Sequence, residues 1–167
     1  GMEPSDPGYA YLGELMASRG FIFASVDENF VNGGMTFEVF RSLNRENDLR
    51  GWLLLKHLEE WRGWNRTDTC FFYQKVDMDK VALIGHSRGG EAVNVAAFFN
   101  TLSHYPDDAR ERFDFNFNIK TIIPIAQVDG QYKPGNVGTP VRDVNFLALQ
   151  GSFDMDCVSF IPKPEEH

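Results

Sequence analysis

A chain of 167 residues, 43% apolar and 24% charged, has the length and apolar content for one globular domain with a real core. Its formal charge of −8 argues against a nucleic-acid backbone as partner, because no basic surplus exists to displace counterions. No stretch approaches the ~18 apolar residues needed to span a bilayer, and no signal peptide is recognisable, which leaves the compartment open.

In chain order, residues 8–18 read as a helix, with Leu12, Leu15 and Met16 on one face and Gly20 as its stop. Phe21-Ile22-Phe23-Ala24-Ser25-Val26 is a continuous apolar run, the pattern of a strand buried on both faces. Residues 30–47, with Gly33-Gly34 and several aromatics, read as an excursion over the surface. A second helix is predicted over 48–61, with an apolar stripe through Leu49, Trp52, Leu53, Leu55 and Leu58. Val81-Ala82-Leu83-Ile84 is the next strand, and a third helix runs from about Arg88 to Asn100. A polar link over 103–118 leads to a buried strand at 121–126, in which Pro124 is disfavoured. Asn145 to Leu149 is the last strand. Strands that alternate with helices, as buried apolar runs, predict one α/β domain over 1–167 with a mostly parallel sheet and flanking helices.

Most motif classes are absent. There is no HExxH, no GxxxxGK[ST] and no GxGxxG after a strand, so no metal or organic cofactor is implied. Asp77 and Asp79 resemble the start of a calcium loop, but no Gly and Glu follow at the required spacing. Cys70 and Cys157 lie far apart, with no CxxC spacing, and read as unpaired thiols. Asn65-Arg66-Thr67 fits a glycosylation acceptor, a triplet common by chance.

One motif carries chemistry. Gly85-His86-Ser87-Arg88-Gly89-Gly90 contains Gly-x-Ser-x-Gly directly after a buried strand and directly before a helix. A serine nucleophile projects from a sharp turn with strained backbone. Gly85 and Gly89 are expected to keep side chains out of that turn, while Gly90 and Ala92 let the helix pack close to the sheet. The helix N-terminus points its positive end toward the serine oxygen, and the Arg88 N–H is placed to donate to a developing oxyanion.

At these residues the sequence resembles the chlorophyllase-like and platelet-activating-factor-acetylhydrolase-like members of the α/β-hydrolase superfamily. Supporting matches are Leu12 to Phe21, Val76 to Lys80 before the elbow strand, and Val128-Asp129-Gly130 after the next strand. The resemblance implies an esterase acting on a small-molecule ester through a Ser-His-Asp triad, with this chain covering the middle of the fold. It also implies three strands ahead of the first helix, the third lying between the Phe21 strand and the Val81 strand. Without that third strand, two strand edges are left unpaired.

The triad acid has two candidates. Asp154 lies just past the last strand, where the superfamily usually has its acid, and Asp129 matches the position used by the chlorophyllase-like and acetylhydrolase-like relatives. Asp154 is preferred, Asp129 follows, and Asp156 is third. The histidine is harder to find. His86 is inside the elbow and reads as packing near the sheet edge; His57 and His104 precede both acids, against the order Ser…Asp…His. His167 follows Asp154 too closely for another crossover and strand, with Pro162 and Pro164 in the interval. The triad histidine is therefore expected outside this chain. Two other readings stand beside the esterase: a serine peptidase of the prolyl-oligopeptidase kind, and a non-catalytic α/β-hydrolase-like binding domain. Aromatics over 30–40 and Tyr132 fit either an acyl site or the core.

Overall fold

The computed structural model describes residues 6–29, 31, 46–128 and 130–154. A 3-10 turn at Asp6–Tyr9 runs into helix α1, Ala10–Ala17, close to the predicted 8–18. Gly20 follows it at φ +85°, a left-handed conformation that glycine adopts without strain.

Phe21 to Glu28 has no regular secondary structure, which overturns the expectation of a strand buried on both faces. Phe21 is 57% and Ile22 48% exposed; Phe23, half-buried, lies against Gly13 of α1. The cause is lateral. An apolar run becomes a buried parallel strand only when a neighbour completes its ladder, and no strand among the described residues pairs with this one.

Helix α2, Glu46–Arg66, exceeds the predicted 48–61 at both ends. Its buried face runs through Asn47, Gly51 and Leu55, with Leu54 and Leu58 packed on the core, whereas Leu49 and Trp52 of the expected stripe are exposed. Gly51 sets this rotation. A Cβ there would lie 2.7 Å from Val95 Cγ1 and 2.9 Å from Ala96 N, so α2 meets helix α3, Arg88–Phe99, backbone to backbone. At the far end of α2, the Asn65 amide donates to the Val76 carbonyl and accepts from the Val76 N–H, both at 2.9 Å. The sequon asparagine is thus a latch on the segment that leads into the sheet.

Strand β1 is Val81–His86. Residues 103–118, expected as a plain polar link, contain an antiparallel hairpin, β2 His104–Tyr105 and β3 Asp108–Arg112. Phe113, Phe115 and Phe117 then point inward in turn while Asp114 and Asn116 face water. Strands β4, Ile119–Ile125, and β5, Asn145–Phe146, complete a three-stranded parallel sheet in the order β1-β4-β5. The protein is therefore a mixed α/β structure with a parallel sheet.

Helix α3 packs on β1 and β4, and α2 packs on α3. Register pairs Leu83 with Ile122 and Gly85 with Pro124 on the covered face, where Leu83, Ile122 and Pro124 are buried. On the other face Ala82 is exposed and Ile84, Thr121, Ile123 and Ile125 are only half-buried, so the strands are not buried on both sides as expected. The core lies between α3 and the covered face, with Phe99 fully buried and its ring 5.2–5.8 Å from those of Phe113, Tyr105 and Tyr132.

Pro124 sits in the central strand, the place from which proline is usually excluded. Leu147 N–H donates to Ile122 O at 3.1 Å, Leu149 N–H to Pro124 O at 3.0 Å, and Ala126 N–H to Leu149 O at 2.8 Å. The rung between them needs an N–H at 124, which proline lacks. That missing rung reduces the predicted strand 145–149 to the pair Asn145–Phe146 plus an isolated bridge between Ile125 and Leu149. Among the described residues no helix is long and apolar enough to cross a membrane.

Candidate active site

Parallel pairing puts the carboxyl ends of β1, β4 and β5 at one edge of the sheet, where open α/β sheets gather their functional groups. Ser87 is the first residue past β1 and the N-cap of α3, at φ 55° and ψ −120°. For a residue with a side chain this is strained backbone, of a kind that costs about 1–3 kcal/mol and persists only when its surroundings enforce it. Three hydrogen bonds do so. Ser87 N–H donates to Ile125 O at 2.9 Å, and the Ser87 carbonyl accepts from Gly90 N–H at 2.9 Å and from Val128 N–H at 3.3 Å.

The glycines divide by role. A Cβ on Gly85 would overlap the Gly89 carbonyl and lie 2.9 Å from Gly90 N, so no side chain fits there. A Cβ on Gly90 would sit 2.6 Å from Gln127 Cβ, which shows how closely α3 approaches the chain leaving β4. Gly89 departs from expectation: among the described residues a Cβ there meets nothing within 4 Å, so they show none of the crowding assigned to it from the motif.

Arg88 opens α3, and its backbone N–H belongs to the first helical turn. Its side chain is held elsewhere. Glu46 Oε1 accepts from Arg88 Nη1 and from Arg50 Nε, each at 2.7 Å, and Arg50 Nη1 donates to Glu28 Oε2 at 3.1 Å. Glu28, Glu46, Arg50 and Arg88 thus form a chain of two carboxylates and two guanidiniums that ends beside the serine turn. Arg88 sits where the helix dipole disfavours a cation, and Glu46 offsets that charge. Burial pushes the Glu28 carboxyl up from its ordinary range, with Arg50 acting against it. Nothing in the sequence marked Glu28, Glu46 or Arg50, because burial of a charge depends on a partner brought up by tertiary contact.

The acids and histidines are less assembled. Asp154 is half-buried in the turn after the Leu149 bridge; its N–H donates to Gly151 O at 3.1 Å and its Oδ2 accepts from Gln150 Nε2 at 3.1 Å. Asp129, Asp156, His167, Cys157 and most of the aromatic excursion at 30–40 lie outside the described residues. His86 ends β1 exposed rather than packed, His57 is exposed on α2, and exposed His104 has its Nδ1 2.9 Å from Ser103 Oγ. Among the described residues the Ser87 hydroxyl has no hydrogen-bond partner. Tyr132 resolves toward the core: it is 2% exposed, its hydroxyl donates to Asp107 Oδ2 at 3.1 Å, and burial raises its phenol further.

Comparison with known proteins returns no matching family model, no matching curated protein and no matching solved structure.

Proposed function

We propose that this protein is a carboxylic ester hydrolase of α/β-hydrolase type, with Ser87 as nucleophile. The observation that carries the reading is the Ser87 backbone, at φ 55° and ψ −120° between a buried-faced strand and a helix. A turn of this strain is retained against its own energy and fits a side chain that must project at a defined point.

In this reading Ser87 Oγ attacks the ester carbonyl carbon while a histidine base takes the hydroxyl proton. The carbonyl oxygen becomes an oxyanion that accepts from the Arg88 N–H, assisted by the positive end of α3. Collapse expels the alcohol, which receives the proton from the imidazolium, and water then releases the acid from Ser87 by the same steps. Asp154 or Asp129 orients the imidazole. Among the described residues nothing lies within 4 Å of a Cβ at Gly89, which leaves the ester a route to the oxyanion donor. The chemistry needs neither a metal nor an organic cofactor.

A fluorophosphonate probe, with the modified residue located by mass spectrometry, tests this directly. Labelling of Ser87 in clear preference to the other serines supports the reading. Labelling with no preference for Ser87 removes it and favours a non-catalytic domain, the alternative suggested by a Ser87 hydroxyl with no partner among the described residues.

A further inference from the structure

Glu91 lies one turn beyond Ser87 on α3 and is 2% exposed, so its carboxylate is placed in the interior at a cost that bonds must offset. Its Oε1 accepts from the Tyr132 backbone N–H at 2.9 Å and its Oε2 from Asn47 Nδ2 at 2.6 Å. Asn47, 1% exposed at the start of α2, also donates to Gln131 Oε1 at 3.0 Å. Asn94 Nδ2, one turn further along α3, donates to Gln127 Oε1 at 2.9 Å. The chain that leaves β4 is therefore tied to the two helices at residues 127, 131 and 132. Between those ties, Val128 N–H reaches the Ser87 carbonyl.

We infer that Glu91 is a positioning residue for Ser87: it holds the chain after β4 against α3, and that chain restrains the strained serine through Val128. The inference rests on the hydrolase reading for its effect on Ser87 but not for the clamp itself. A carboxylate is the side chain that the site needs, since among the described residues at least two donors converge on it, at least one on each oxygen. A glutamine of the same size has one acceptor and one donor, so either orientation sets an N–H against an N–H.

Glu91→Gln in the full chain makes the test, with hydrogen exchange over 126–132, exchange over β4 as a control for folding, and the rate of fluorophosphonate labelling at Ser87. Loss of one hydrogen bond to a charged group is expected to raise exchange over 126–132 by roughly tenfold and to slow Ser87 labelling by a similar factor, with β4 unchanged. Wild-type exchange in the variant overturns the clamp. Faster exchange with wild-type labelling leaves Glu91 structural only and overturns its action on Ser87. If Glu91→Gln loses protection over β4 as well, Asn47→Ala decides: it keeps the carboxylate and the Tyr132 bond, and exchange over 126–132 must still rise. A wild-type protein that does not label at Ser87 above Ser87→Ala sinks the hydrolase reading and the effect on Ser87, while exchange separately decides the clamp.

Discussion

Gly89 and Gly90 are neighbours in one motif, yet the structure gives them opposite tolerance for a methyl group. At Gly90 the added Cβ lies 2.6 Å from Gln127 Cβ and 3.0 Å from Gln127 Cα, against an ordinary contact that begins at 3.4 Å. These atoms sit at the backbone, so no rotamer change relieves them. The helix must lift from the chain after β4 by about 0.8 Å, a gap that forfeits roughly a quarter to a half of each dispersion contact it opens. Overpacking of this kind costs about 1–3 kcal/mol, partly offset by the ~1 kcal/mol that alanine gains over glycine inside a helix. Gly90→Ala is therefore expected to lose up to about 2 kcal/mol. Gly89→Ala meets nothing within 4 Å among the described residues and has no positive φ, so it keeps the helical gain and is neutral or slightly stabilised. Urea unfolding of both variants beside wild type measures the difference from the midpoints at common slope. Equal destabilisation by the two alanines, or a tolerant Gly90, would refute the assignment of crowding to residue 90 alone.

Other consequences are open to similar measurement. Gly51→Val should push α2 off Val95 and Ala96 and cost more than ~2 kcal/mol, read as a lowered unfolding midpoint; a neutral variant would mean that the helices do not touch there. Glu28 has a carboxyl pKa raised by burial, so its protonation favours the folded state, and stability from this group is present below its ordinary value of 4.5 and lost as pH rises through the folded value. The melting temperature of Glu28→Gln minus that of wild type should accordingly grow between about pH 4 and about pH 7, and a constant difference counts against the shift. Turnover of p-nitrophenyl acetate and butyrate by this chain should stay near the Ser87→Ala background, because the Ser87 hydroxyl has no base among the described residues. A serine assisted by the oxyanion donor alone reacts slowly, enough for one-time fluorophosphonate labelling but not for repeated turnover. Turnover far above that background would place a base within the chain, with His167 and His104 the first to substitute.

Local features were legible in the sequence. The serine turn is encoded by neighbours in the chain, glycines before and after it and a strand-to-helix transition around it, so Ser87 falls where the motif puts it. Features that depend on lateral partners were not. The run at Phe21 has the composition of an inner strand, but pairing is a property of its neighbours. The face of α2 turns on Gly51, a residue that an apolar count ignores. Phe113, Phe115 and Phe117 alternate with polar residues in the period of a strand, a signal present in the sequence and masked by the polar average of 103–118. Glu46 and Asn47 fell in the stretch read as a surface excursion, and Arg50 and Glu91 carried no assigned role on their predicted helices, because the partners that allow their burial lie tens of residues away. Even Pro124 was correctly read as out of place, but its effect, one missing rung that interrupts β5, required the register.

If Ser87 is the nucleophile proposed above, its strain sets selection for stability against selection for chemistry. A glycine at residue 87 would hold φ 55° at little cost and release about 1–3 kcal/mol, while deleting the hydroxyl. Drift or laboratory screening that rewards thermal resistance alone would thus favour loss of the serine. Under the proposed hydrolase reading, its presence in a chain of ordinary composition answers a requirement that folding does not impose.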